Sequence, residues 1–172
     1  MADLKVAYIG LGSNLNEPEQ QLLRAFEELD ALPETQLLAR SSLYRNPPMG
    51  PAEQPDYINA VAKLETGLKP EDLLVAMQQI EQAHDRRREV HWGPRSLDLD
   101  LLLYDQVQIN SDTLTVPHPG LIDRNFVLYP LAELDTELNI PGVKPLAVLL
   151  ESCPAEGLVK LEEGNPPTDV GC

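Results

Sequence analysis

Between Leu97 and Leu103 the chain reads Leu-Asp-Leu-Asp-Leu-Leu-Leu. Side chains of a strand alternate between two faces, which predicts Leu97, Leu99, Leu101 and Leu103 on one face and Asp98 and Asp100 on the other. The leucines commit this segment to a sheet over an apolar core, with two carboxylates side by side on the opposite surface, where they repel. Such a pair needs a counter-charge. Two hard oxygen donors suit magnesium, which keeps open positions for phosphate oxygens. Alone, the pattern also describes a solvated sheet face. Its neighbours favour chemistry: His91-Trp-Gly-Pro-Arg95 comes directly before it, and Arg86, Arg87 and Arg88 come before that.

The other elements are arranged around this strand. Val6–Ile9 reads as a buried strand running into a small-residue turn, Gly10-Leu-Gly-Ser-Asn14. Gly10, Gly12 and Ser13 match neither a Walker loop nor a complete dinucleotide fingerprint, so a tight strand-to-helix turn is the better reading. Asn16 with Glu19 forms a capping-box pattern, and Leu22, Leu23, Phe26 and Leu29 give a helical apolar face ending before Pro33. Residues 36–45 read as a second strand. Asn46-Pro-Pro-Met-Gly-Pro51 must be an extended loop, because its prolines exclude regular structure. Residues 57–65 alternate as a third strand, and Pro70 opens a second helix carrying Leu73, Met77, Ile80 and His84. Asp105–Ile109 is expected to turn back as a short hairpin. A Pro- and His-containing loop and a short helix are expected over 117–131, and a last helix over 144–151. The order strand-helix-strand-strand-helix-strand predicts an α+β, ferredoxin-like βαββαβ core, with helices packed on one face of a mostly antiparallel sheet.

The 172 residues fit one domain, expected over 1–160, with a polar, flexible tail over 161–172. Charge argues against a nucleic-acid binder. With 28 acidic and 13 basic side chains the net charge is −15, and backbone binding to nucleic acid needs a basic surface. The acidic excess is concentrated from Glu133 onward, whereas the arginines cluster at 86–95, where an anionic ligand needs them. Cys153 and Cys172 make neither a metal nor a redox pair, and Cys153 is expected to be partly buried. The start lacks a signal-peptide pattern and no apolar run reaches transmembrane length, so the expectation is a cytoplasmic protein without a membrane partner.

His91-Trp-Gly-Pro-Arg-Ser-Leu-Asp-Leu-Asp-Leu-Leu102 resembles the signature segment of the 6-hydroxymethyl-7,8-dihydropterin pyrophosphokinases, enzymes of the folate pathway. Further motifs recur in the family's order: Gly10-Leu-Gly-Ser-Asn14, Ser42-Leu-Tyr-Arg-Asn-Pro-Pro48, Gln54-Pro-Asp-Tyr-Ile-Asn59, Val116-Pro-His118 and Arg124-Asn-Phe126. The resemblance covers roughly residues 5–150. It implies transfer of pyrophosphate from ATP to the pterin hydroxymethyl group, assisted by two Mg2+ ions and releasing AMP. It also implies ATP and a reduced pterin as the partners; because no exposed apolar stripe is obvious in the sequence, a monomer without an obligatory protein partner is the default expectation.

By matching position, Asp98 and Asp100 resemble the metal ligands. Arg86, Arg88 and Arg95 resemble catalytic arginines that approach the phosphates. Gln78, Glu81, Trp92, Ile109, His118 and Arg124 are expected to join them around ATP. Asn46, Pro47, Met49, Tyr57, Asn59, Trp92 and Phe126 resemble the pterin pocket. The residue types suit those tasks. Arginine offers forked donors to phosphate, Phe126 offers a stacking face to a flat ring, and Asn59 offers a donor and an acceptor together. The chain departs from the family pattern in having His91 where some relatives have Arg, Pro119 where some have Tyr, and Asn46 where Thr is common. Its arginine loop is also about one residue shorter. The rival readings are another magnesium-dependent phosphotransferase, an inactive ferredoxin-like interaction domain and an RNA-binding sheet. The last would need strand aromatics on a basic surface.

Overall fold

Strand β1 (Lys5–Ser13) lies in the interior of the sheet and pairs antiparallel along both edges, with β4 (Tyr57–Thr66) on one side and β5 (Asp98–Tyr104) on the other. The computed structural model describes residues 4–13, 17–46, 56–85, 97–121, 124–155 and 157–161. The turn expected at Gly10 does not occur. The strand continues through Ser13, with Gly10 and Gly12 paired on both sides. Glycine in a strand interior marks a place where something approaches the backbone closely. A Cβ at Gly12 would stand 2.8 Å from Asn59 Oδ1, and one at Gly10 would stand 3.4 Å from the Leu102 methyls.

The far edge of β4 pairs with two strands, β2 (Thr35–Arg40) and β3 (Leu43–Asn46), where one strand over 36–45 was expected. The break falls at Ser41-Ser42. There the Ser41 N–H donates to the Val61 carbonyl at 2.9 Å, and the Ser41 hydroxyl oxygen accepts from the Val61 N–H at 2.9 Å. The hydroxyl replaces a ladder carbonyl, so the chain kinks without leaving a buried donor unpaired. Among the described residues the sheet order is β5-β1-β4-β3-β8, with β2 also on β4. Strand β8 (Val159–Leu161) was not expected, and its last residue falls in the stretch expected to be a flexible tail. It pairs with β3, and Leu161 packs against the core.

Helices α1 (Pro18–Asp30) and α2 (Pro70–Asp85) cover one face of the sheet. Leu22, Phe26 and Leu29 of α1, with Leu73 and Met77 of α2, pack against Ile9, Ala62, Leu64 and Leu99. The residue before α1 is Glu17, in a left-handed conformation (φ 60) with no side-chain cap, and Asn16 of the expected Asn16–Glu19 capping box lies outside the described residues. Helices α3 (Asn125–Leu134) and α4 (Leu146–Glu151) cover the opposite face, which corrects the expectation of helices on one face only. The cause lies in the strands themselves. Tyr8, Val61, Leu102 and Leu103 make the second face apolar, and Leu128, Leu131 and Leu146 remove it from water. Cys153 is buried in this second cluster. Among the described residues no helix is long and apolar enough to cross a membrane.

A β-bulge interrupts the β1–β5 ladder. Tyr8 faces Leu103 but Ile9 faces Leu101, so Leu102 is the extra residue. One inserted residue reverses the alternation beyond it. Leu103 therefore joins the second cluster, rather than the leucine face of Leu97, Leu99 and Leu101, and Tyr104 returns to the first. The Leu102 carbonyl accepts the backbone N–H of His118 at 3.0 Å. The hairpin expected after β5 also forms differently: β6 (Ile109–Asn110) pairs with β7 (Thr115–Val116) as a separate ribbon.

Glu133 fastens α3 to the β3 edge. Its carboxylate accepts the Ser42 N–H at 3.0 Å, the Ser42 hydroxyl at 2.8 Å and the Tyr44 hydroxyl at 2.9 Å, and Lys160 of β8 lies 3.8 Å away. Replacing Glu133 by Ala would leave these donors without their acceptor. The expected loss is about 2–3 kcal/mol of stability in denaturant unfolding, with Glu133→Gln milder. Burial, the Asp135 charge and a hydrogen bond to Asp135 raise the Tyr8 hydroxyl from 10.0 to about 12. A raised folded-state value means that the unfolded chain releases this proton first. Stability is then complete below pH 10 and falls as pH rises toward 12, and the fall should be shallower in Tyr8→Phe when alkaline unfolding is compared.

Candidate active site

The second face of the sheet is not wholly covered. Beyond the start of α3 a cleft of ≈ 190 Å³ opens over β1, β4 and β5. Its floor follows from register: Gly12 faces Asp98 on one side and Asn59 on the other. Neighbouring strands lie about 4.8 Å apart, so Asn59 and Asp98 stand roughly 10 Å apart across a strand that carries no side chain between them. Asp98, Asp100, Tyr57, Asn59, Asn46, His118, Arg124 and Phe126 line the cleft.

Strand periodicity places both aspartates on this face, and their burial is intermediate, with the Asp100 side chain 46% exposed. Tyr57 is the next polar group along the cleft. Its hydroxyl is raised above the ordinary tyrosine value, chiefly by burial and further by the negative charge of Asp98. The side-chain amides of Asn46 and Asn59 are joined, Asn59 Nδ2 donating to Asn46 Oδ1, and both residues are buried.

The segment after β7 closes the other wall. Its backbone is anchored on the bulged Leu102, which sets the His118 ring beside β5. His118 Nδ1 accepts the Gly120 N–H at 3.0 Å, so in the neutral ring Nε2 carries the proton, and Nε2 lies 3.7 Å from Asp100 Oδ1. Arg124 immediately precedes α3, and its guanidinium lies 5.9 Å from the Phe126 ring centre. It also rests against Gly120, where an added Cβ would come within 2.6 Å of the guanidinium carbon.

The donor set suits a hard divalent cation. Asp98 and Asp100 offer two carboxylates on one face over a floor of glycine backbone. Among the described residues no three His, Cys, Asp or Glu side chains form a metal cage. Magnesium fits such a place, because it takes one or two carboxylates and completes its shell with water and phosphate oxygens.

Not every expected residue converges here. Gln78 and Glu81 belong to α2, which packs on the opposite face, and neither lines the cleft. Gln78 is exposed. Glu81 instead accepts the backbone N–H of Leu99 at 2.7 Å, from the residue between the two aspartates. Ile109 sits in the β6–β7 ribbon, packed against the first core cluster, and does not line the cleft. Pro47, Met49, Arg86, Arg88, Trp92 and Arg95 lie outside the described residues.

Residues 8–136 match the sequence profile of 7,8-dihydro-6-hydroxymethylpterin-pyrophosphokinase (HPPK). A 2-amino-4-hydroxy-6-hydroxymethyldihydropteridine pyrophosphokinase of Pseudomonas aeruginosa is 48% identical over 154 residues, covering 90% of this chain and 95% of the relative. One of the same name from Haemophilus influenzae is 44% identical, covering 90% and 97%. The chain belongs to the HPPK family. It is an ATP-dependent diphosphotransferase that passes pyrophosphate to hydroxymethyldihydropterin in folate biosynthesis. The fold also occurs in wild-type Plasmodium falciparum HPPK-DHPS solved with pteroate, at TM-score 0.70 and 13% identity, over 88% of this chain and 43% of that one. This chain therefore spans less than half of that longer polypeptide.

The cleft includes residues that the sequence did not mark as site residues: Gly10, Leu11, Gly12, Ala60, Leu102 and Val127. The available signal was the pair of glycines, which recur at period two inside an otherwise apolar strand. If Gly12 keeps the floor clear for the Asn59 amide, Gly12→Ala will push that amide aside. The expected result is a Kd for the pterin weakened about tenfold, the worth of one hydrogen bond at ~1.4 kcal/mol, with little change for ATP, measured by calorimetry.

Proposed function

We propose that this cleft is where the HPPK reaction takes place, with the pterin over β4 and the ATP phosphates between β5 and the segment 118–124. The register that sets Asn59 and Asp98 on either side of Gly12 carries the assignment. It separates a ring-recognising amide from a pair of metal-type carboxylates by the length of a bicyclic ring and its hydroxymethyl arm. Phe126 gives the ring a face to stack on, and Asn59 with Asn46 reads its edge. Tyr57 closes the pocket beside Asp98.

The hydroxymethyl oxygen attacks the β-phosphorus of ATP while the bond to the departing AMP oxygen breaks in line. The chain's task is positioning and charge stabilisation. His118 Nε2–H and the Arg124 guanidinium both point into the cleft as donors for phosphate oxygens. We assign Arg86, Arg88 and Arg95 to the same phosphates and Trp92 to the pterin and nucleotide, on the family resemblance. Gln78 and Ile109 would have to meet the nucleotide beyond the cleft itself. Asp98 and Asp100 would hold magnesium, two ions in this proposal, which neutralises the triphosphate and acidifies the attacking hydroxyl. No side-chain general base is required.

The strand order β5-β1-β4 followed by β2 and β3, antiparallel throughout, supports a ferredoxin-like core. We take a monomer as the working unit, and consumption of ATP supports a cytoplasmic location.

Asp98→Ala and Asp100→Ala should each lower kcat by roughly a thousandfold, about 4 kcal/mol of transition-state stabilisation. Because both residues are only partly buried, unfolding free energies should change by less than about 1 kcal/mol. The assay is AMP formation from ATP, magnesium and 6-hydroxymethyl-7,8-dihydropterin. Normal AMP production by either folded variant would remove the carboxylates from the mechanism.

A further inference from the structure

His84 has no part in the reaction as described, yet it is a buried polar ring at the last turn of α2, with its side chain 1% exposed. Both ring nitrogens meet α1. Nδ1 pairs with Gln21 Oε1, and Nε2 lies 2.5 Å from Glu28 Oε1. Gln21 and Glu28 are two helical turns apart on one face of α1, so the imidazole spans the groove between the helices like a bolt. The chemistry suits a permanent link. Glu28 is an acceptor-only carboxylate, which requires Nε2 to donate. Gln21 is an amide, which either accepts from Nδ1 or, turned over, donates to it.

Glu81 lies three residues before His84, on the same side of the same turn. Its carboxylate accepts the Leu99 N–H at 2.7 Å. Strand β5 is an edge strand, with β1 on its other side. Leu99 stands between Asp98 and Asp100, so this bond holds the outer edge of β5 at the carboxylate pair.

Taking the carboxylates as the magnesium site proposed above, we infer that His84 is a positioning residue: it locks the end of α2 to α1, and that turn, through Glu81, fixes the spacing and aim of Asp98 and Asp100. Partners of this kind behind metal ligands set how well the ligands are oriented without touching the ion. The pterin pocket is built on β4, β3 and α3 and lies outside this chain of contacts.

The test compares wild type, His84→Ala, His84→Gln and Glu28→Gln. Mn2+ binding in the presence of a non-hydrolysable ATP analogue is followed by electron paramagnetic resonance, and pterin binding by calorimetry. His84→Ala should weaken Mn2+ binding about tenfold, as expected for loss of an outer-shell partner, with pterin affinity unchanged. His84→Gln keeps a donor toward Glu28 and should recover most of the loss. Glu28→Gln alters the clamp from its partly exposed end, covers the case in which His84→Ala does not fold, and should weaken Mn2+ binding in the same direction. Unchanged Mn2+ affinity in folded His84→Ala, or in Glu28→Gln if His84→Ala does not fold, overturns the inference, as does equal loss of Mn2+ and pterin. If wild type itself binds Mn2+ no better than Asp98→Asn, the metal site is wrong and the inference falls with it, an outcome distinct from failure of the clamp alone.

Discussion

The double pairing of β1 is the constraint on which the site depends. A central strand hydrogen-bonded along both edges cannot shift its register without breaking two ladders, so whatever faces Gly12 on either side is fixed relative to the other. Here Asp98 and Asn59 face it. The absence of side chains at Gly10 and Gly12 turns a strand that would otherwise fill the space into the floor of a cleft. Close approach of Asn59 to Gly12 and of Leu102 to Gly10 shows that this space is used.

The bulge at Leu102 supplies the other wall. By reversing the alternation beyond Leu102 it sends Leu103 to the second face beside Leu102, where both help to seat α3, and the Leu102 carbonyl anchors the His118 backbone. Glu133 then ties α3 to the opposite edge of the sheet through Ser42 and Tyr44. The helix carrying Phe126, with Arg124 at its start, is thereby held at both sides of the sheet. The reaction proposed for this cleft depends on such rigidity, because phosphoryl transfer gives the protein little to do beyond placing its groups.

Much of this was legible along the chain. The alternation at 97–101 placed Asp98 and Asp100 on one face, and Tyr57 with Asn59 share a face by the same period-two rule. Local patterning was less informative where a side chain took over a backbone role. The Ser41 hydroxyl entering the ladder splits an apparently continuous strand, and glycines that read as a turn are strand because both neighbours pair with them. Gln78, Glu81 and Ile109 were grouped with the nucleotide from sequence, but the packing of α2 and of the β6–β7 ribbon leaves them off the cleft.

The sequence by itself determined the helices α1 and α2, the strands β4 and β5, the carboxylate pair, the concentration of arginine at 86–95 and, through its ordered motifs, the HPPK family. These are properties of periodicity and residue identity over short windows. Only the tertiary structure decided that helices cover both faces, that Leu103 changes sides, that residues 159–161 return as β8, and that Glu81 and His84 link α1, α2 and β5. Those outcomes depend on register and on contacts between residues dozens of positions apart. Neither leaves a local pattern, because one extra residue in a ladder, or one hydrogen bond between distant elements, changes no nearby periodicity.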